Sequence, residues 1–175
     1  MQKANSHSKL SAVHSIMHIP ENIYAQIVRL MPIPCVDLLV EDENGRILLI
    51  KRANEPAKGQ WWFPGGRVHF LEKREKAAIR KLKEECGLEA FQITEAGTYD
   101  VIFDEMPLDS SCYDSHGITT VFHVVVNNKM VKLDKQSSLY AWKNINEWLT
   151  ELDNEFLVTV LTSVLTSKRV PHNHM

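Results

Sequence analysis

Gly65-Gly66-Arg67-Val68-His69-Phe70-Leu71-Glu72, followed after seven residues by Arg80-Lys81-Leu82-Lys83-Glu84-Glu85-Cys86-Gly87-Leu88, joins a glycine turn to a helical pattern. Residues 72–86 hold no Pro or Gly and are dominated by Glu, Lys, Ala, Leu and Arg, and Gly87 stands where a left-handed C-cap belongs, so a helix is predicted there. At about 100° per residue, Arg80, Lys81, Glu84 and Glu85 fall within roughly 140° of one another. Ala78, Ile79, Leu82 and Cys86 take the other side, which gives the helix a charged face and a core face. Two adjacent carboxylates on one face repel unless a positive charge lies beside them, and a hard divalent cation, Mg²⁺ or Mn²⁺, meets that need with oxygen ligands. The Gly65-Gly66 turn lets the backbone approach such a cation and offer a carbonyl. The plainer alternative is a solvated helix face laced with i,i+4 pairs such as Lys81 with Glu85.

Working outward, Ile23, Tyr24, Ile27, Val28, Leu30 and Met31 recur at helical spacing between Pro20 and Pro32, which predicts a short amphipathic helix. Residues 35–41 and 46–51 read as strands joined by the turn Glu43-Asn44-Gly45, with a loop over 52–62. Beyond the central helix, β-like runs are predicted over 91–103, 118–126 and 130–133 leading to 139–142. The insert between the first two, 104–117, is rich in Asp, Ser and Pro and long enough to read as a binding loop. Helices over 144–149 and 154–167 close the chain, the second with an apolar stripe of Phe156, Leu157, Val160, Leu161, Val164 and Leu165. The organisation expected is a leader over 1–18, one domain over 19–167 and a tail over 168–175.

The 175 residues are 44% hydrophobic and 24% charged, enough apolar surface for one core without staples. A formal charge of −2 disfavours a nucleic-acid polymer as partner, since counterion release needs a basic excess. Cys35, Cys86 and Cys112 show neither disulfide nor zinc spacing, which fits a reducing compartment. No apolar run approaches the roughly 18 residues that span a bilayer, so the expectation is a soluble, cytoplasmic protein with no membrane partner.

The stretch from Gly66 to Leu88 resembles the Nudix box: a Gly, five residues, a Glu, seven residues, then Arg-Glu-aliphatic-x-Glu-Glu-x-Gly-aliphatic. Every specified position matches except Lys81, where the box has Glu. At a background of about 7% per Gly or charged position, chance agreement is on the order of 10⁻⁷ per start point. The wider match is most similar to the GDP-mannose mannosyl hydrolase branch. It takes in Pro34-Cys35-Val36-Asp37, Lys51-Arg52-Ala53-Asn54, the run WWFPGGRV from Trp61, Thr119-Thr120 and Asp134-Lys135-Gln136, over about residues 20–150.

The resemblance implies an α/β/α sandwich around a mixed sheet and metal-assisted hydrolysis of a nucleoside diphosphate linked to a further group. Carried over residue by residue, it implies that the Gly65 carbonyl, Glu85 and Gln136 hold the metal, with Glu84 as an additional ligand. Arg52 and Arg67 would contact the diphosphate, with the two arginines and Glu84 and Glu85 forming the catalytic set. Asp37 would lie near the nucleobase and Tyr24 stack on it, across a homodimer if one forms.

Two departures bear on the reaction. The branch has a His general base directly after the metal-binding Gln, and here that residue is Ser137, whose hydroxyl cannot take a proton at neutral pH. Lys81 removes the box Glu that serves related pyrophosphatases. The remaining candidates for a base are His69, Asp104, Glu105, Asp109, Asp114 and His116. Three functions follow: hydrolysis of a nucleoside diphosphate sugar such as GDP-mannose to GDP and sugar, attack at phosphorus to release NMP, or a nucleotide-binding module with impaired turnover.

Overall fold

Local chemistry places most elements where the pattern puts them. Helix α1 (Glu21–Leu30) opens after Pro20, and α2 (Arg74–Cys86) ends on Gly87 at φ +66°, a left-handed turn that a side chain rarely adopts. Between strands β1 (Ile33–Glu41) and β2 (Ile47–Arg52), Asp42 Oδ1 accepts the N–H groups of Asn44 and Arg46, both at 2.9 Å. That carboxylate builds the turn from inside and pairs with the Arg46 guanidinium at 2.8 Å. Helix α3 (Ile145–Glu151) starts at a capping box in which Asn144 and Glu147 satisfy each other's backbone N–H groups, and α4 (Glu155–Arg169) follows. The computed structural model describes residues 19–108 and 111–169, and the side chains of 105–108, 111–113 and 167–169 lie outside that description.

The remaining strands are β3 (Trp61–Trp62), β4 (Gly65–Arg67), β5 (Gln92–Leu108), β6 (Ser111–Val125) and β7 (Ser137–Lys143). Together they form a seven-stranded mixed sheet in the order β3-β2-β1-β6-β5, with β4 against β1 and β7 against β2. Only β1 and β6 run parallel, over the full length of β1 from Ile33↔Gly117 to Glu41↔Val125. The sheet forks at β1. That strand meets β2 only at Val40↔Leu48 and Glu41↔Ile47, and meets β4 at Cys35↔Arg67 through Asp37↔Gly65. The segment Trp61–Arg67 crosses the fork, pairing with β2 as β3 and with β1 as β4.

Among the described residues the two larger cores lie on the two faces, and a small cluster of Val28 and Ile33 seats α1. Val36, Leu38, Val40, Leu48 and Phe122 pack against Ala77, Ala78, Leu82 and Cys86 of α2. Leu39, Ile47, Leu49 and Val121 pack against Trp148 of α3 and Leu157, Val160, Leu161 and Val164 of α4. This is the expected α/β/α sandwich around a mixed sheet, and each buried Val, Leu or Ile in it contributes about 1.5–3 kcal/mol of transfer free energy.

Several boundaries differ from expectation. Strand β1 begins two residues early, taking in Pro34, whose carbonyl accepts the Val68 N–H. The loop read over 52–62 ends in β3. The described residues of the insert over 104–117 are strand, not loop: 104–108 and 111–117 belong to the arms of β5 and β6, paired from Phe103↔Ser115 to Leu108↔Ser111 with a register shift after Phe103. Residues 130–133 carry no strand, helix α2 starts at Arg74 rather than at 72, and α4 runs on to Arg169. The leader over 1–18 and residues 170–175 of the tail lie outside the described residues.

The two-faced reading of α2 also needs correction. Lys81 and Glu85, placed on the outward charged face, are buried, while Ile79, placed in the core, is 38% exposed. The helix lies with its charged side against β4, so what the wheel shows as an outer surface is the floor of a cleft.

Candidate active site

A cavity of about 510 Å³ opens at the fork, and its walls hold each residue assigned from the sequence to metal or substrate: Tyr24, Asp37, Arg52, Gly65, Arg67, Glu84, Glu85 and Gln136. They come from α1, β1, β2, β4, α2 and the approach to β7, so the topology does the gathering. Helix α2 is anchored to β4 by its own carboxylate, since Glu85 Oε2 accepts the Gly65 N–H at 3.0 Å. Gly65 is obligatory for that contact: a Cβ there would lie 2.4 Å from the Val36 carbonyl oxygen and 2.6 Å from Asp37 Oδ1.

The turn and helix are clasped by Arg80. Its guanidinium donates to both Glu72 oxygens at 2.8 Å, to Glu84 Oε2 at 3.1 Å and to the Arg67 carbonyl at 3.1 Å. The hydrogen bonds from Arg80 hold the Glu72 carboxyl at about 2, well below its usual range. Glu72 also receives the His69 N–H at 3.0 Å, which fixes the loop before the helix.

The positive charge demanded by the paired carboxylates is supplied from within the chain. Lys81 Nζ lies 2.5 Å from Glu85 Oε1 and 3.8 Å from Glu84 Oε2. Its stem runs under Gly66, where a Cβ would come within 2.7 Å of Lys81 Cε. Burial pushes the Glu85 carboxyl up, and Lys81 and the Gly65 N–H partly offset it. The two glutamates are therefore not equivalent. Glu85 is buried and committed to Lys81 and Gly65, whereas the Glu84 side chain is about half exposed at the cavity wall.

The donor chemistry fits a hard divalent ion. Glu84, Glu85, Gly65 and Gln136 offer oxygen donors on the walls of one cavity, where the Lys81 ammonium already pairs with Glu85. Gln136 is set by Asp134, whose carboxylate accepts its backbone N–H at 2.8 Å and its side-chain Nε2 at 3.0 Å. Among the described residues no three His, Cys, Asp or Glu side chains gather so as to hold a metal ion by themselves, so backbone and amide oxygens would have to complete the set. An open site suits an ion that keeps waters and shares substrate oxygens.

Arg52 is largely buried at the end of β2, its guanidinium 5.8 Å from the Trp62 ring centroid, and burial lowers its pKa against the pull of Asp37 and Glu85. Arg67 lies 5.3 Å over the ring of Tyr24, so one face of that aromatic already carries a guanidinium. Asp37 is buried on β1, accepts the Thr119 hydroxyl at 2.7 Å and is pushed up to about 6 by burial.

Of the base candidates, His69 and His116 line the cavity. His116 Nε2 lies 2.7 Å from Asp100 Oδ1, and burial beside Arg80 lowers the His69 pKa. Asp104 lies in a neighbouring hollow with Tyr99 and Phe156, and Asp114 is exposed and lines neither. The Glu105 side chain and Asp109 are outside the described residues. Sequence reasoning missed the clasp by Arg80, and it read the Lys81–Glu85 pair as part of a solvated face, whereas the pair is buried. The spacing of Arg80 to Glu84 was visible, but the reach back to Glu72 depends on the loop's path.

A NUDIX domain model matches residues 31–160. The low-salt glycan biosynthesis protein Agl8 of Haloferax volcanii is 34% identical over 121 residues, covering 69% of this chain and 76% of that one. An ADP-ribose pyrophosphatase of Methanocaldococcus jannaschii is 49% identical over 59 residues, covering 34% of each chain. Among solved structures, a MutT protein from Methanosarcina mazei superposes with a TM-score of 0.66 at 23% identity, covering 81% of this chain and 99% of its own. The NUDIX domain of Shewanella oneidensis NrtR, crystallised with ADP ribose, gives 0.63 at 16% identity over 86% and 99%. At these identities the two structures speak for the fold alone.

Proposed function

Because the chain belongs to the Nudix family and is a Nudix hydrolase, we propose that it hydrolyses a nucleoside diphosphate sugar with Mg²⁺ or Mn²⁺, GDP-mannose being the first substrate to try. The observation that carries this reading is the single cavity in which the oxygen donors Gly65, Glu84, Glu85 and Gln136 share walls with Arg52 and Arg67. Guanidinium groups grip diphosphate oxygens bidentately, and two of them flanking an oxygen-lined metal site make a diphosphate the matching ligand. The glycan-biosynthesis relative favours a sugar as the linked group.

In this reading Glu84, Glu85, the Gly65 carbonyl and Gln136 would hold the ion, whose chemistry there would be to offset negative charge on a diphosphate leaving group. Arg52 and Arg67 bind and orient that diphosphate, Tyr24 supports Arg67 from beneath, and Asp37 with Thr119 closes the cavity floor. Ser137 has no basicity to offer, so a proton from water falls to an imidazole on the cavity wall, His69 or His116.

Ser137 also favours a second reading, attack at phosphorus with release of NMP, since the histidine that would activate water for attack at carbon is absent. Hydrolysis in ¹⁸O water separates the two. Label in the sugar marks attack at carbon, and label in a phosphate marks attack at phosphorus. Absence of label in every product from a panel of nucleotide sugars, with Mg²⁺ or Mn²⁺, refutes nucleotide sugars as the substrate class.

A further inference from the structure

Among the described residues, three buried side-chain polar atoms have no hydrogen-bond partner: Arg52 Nε, Ser137 Oγ and Trp142 Nε1. The first two belong to one place. Arg52 on β2 and Ser137 on β7 are cross-strand partners, paired where the ladder shifts register after Lys51. Both residues line the cavity at the fork, and Trp142 does not. A buried donor without an acceptor is costly, and two of them on cross-strand partners that both line one cavity call for an acceptor that the chain itself does not supply. The local backbone is already satisfied, since Ala53 N–H donates to the Gln136 carbonyl at 2.8 Å and the Ser138 hydroxyl to the Lys51 carbonyl at 3.2 Å. The unmet hydrogen bonds are thus confined to two side chains.

We propose that Ser137 and Arg52 form a paired donor site for one phosphate oxygen of the substrate, so that the residue standing where a base was expected is a substrate-binding hydroxyl. The donors match in kind: a guanidinium N–H supplies charge and direction, and a hydroxyl rotates to meet an oxygen beside it. The adjacent acids do not fill this role. Asp37, Glu55 and Glu85 all exert a field on Arg52, yet none accepts a hydrogen bond from its Nε. A serine leaves room for an anion that a bulkier imidazole would occupy. The site rests on the diphosphate reading above and adds to it a residue whose side chain no other part of the fold uses.

The test is calorimetric titration of the full-length protein with inorganic pyrophosphate in excess Mg²⁺, for wild type, Ser137→Ala and Arg52→Gln, with thermal unfolding of each. Ser137→Ala should weaken pyrophosphate binding by about three- to tenfold. Its Tm should stay level or rise, because an unpaired buried hydroxyl is removed. Unchanged affinity in Ser137→Ala, with affinity lost in Arg52→Gln, overturns the assignment of Ser137 and leaves the diphosphate reading standing. Weaker binding accompanied by a fall in Tm marks a structural hydroxyl and also overturns it. Failure of the wild type to bind pyrophosphate overturns both.

Discussion

Lys81 changes what the two glutamates can do. Its ammonium lies 2.5 Å from Glu85, with both side chains almost wholly buried, so neither charge can be removed alone without leaving the other stranded. Glu85→Gln should therefore lower kcat by orders of magnitude and also cost about 1–3 kcal/mol of stability. Lys81→Met together with Glu85→Gln should recover most of that stability and none of the activity, as chemical denaturation and a steady-state assay would show. Lys81→Met alone should tighten Mn²⁺ binding several-fold in a calorimetric titration, since Glu85 no longer shares its charge. Asp37 gives a second residue-level expectation. Its folded carboxyl titrates near 6 against a usual value of 3.8, so its ionisation weakens the fold as pH rises from about 4 to 6 and the penalty stays constant above. Asp37→Asn should be more stable than wild type at pH 8, with the gap closing toward pH 4 in urea melts. The residue types of this site were legible in the sequence because Nudix spacing is strict. The Lys81–Glu85 pair was legible too, but its burial was not, because a helical wheel cannot tell an outer face from one turned against a neighbouring strand.

The loop and helix of the Nudix box act as one element through Arg80, which bridges Glu72, Glu84 and the Arg67 carbonyl. A lysine has the charge but not the planar fork, so Arg80→Lys should cost about 1–2 kcal/mol and speed hydrogen exchange at the His69 amide. The Glu72 carboxyl, held at about 2, contributes stability that is fully present above its ordinary value near 4.5 and is lost as pH falls through 2. Glu72→Gln should flatten that acid limb, as unfolding midpoints between pH 5 and 2 would report. At this scale the helix was readable from its formers and from Gly87, whose φ of +66° needs no tertiary information. The β5–β6 arms were not. Residues Pro107, Asp109, Ser110 and Ser111 read locally as a loop, while the strands that contain or flank them are specified by pairing across the hairpin.

In the whole molecule, the layer of α3 and α4 stabilises the sheet from the side opposite α2. Leu161 is fully buried there and does not line the cavity, so Leu161→Ala should cost about 2–5 kcal/mol with KM unchanged for the folded protein. The α/β/α layering was legible from alternating strands and apolar stripes, whereas the fork at β1 was not, since the brief pairings of β3 and β4 leave almost no periodic trace. That fork has a mechanical consequence. Beyond the short contact at Val40 and Leu48, β1 and β2 are tied here by the crossing segment Trp61–Arg67. A diphosphate held by Arg52 on one prong and Arg67 on the other would act as a crossbar. Occupancy would then brace the molecule against splaying, and slower amide exchange at Trp62 and Gly66 on ligand addition would register the brace.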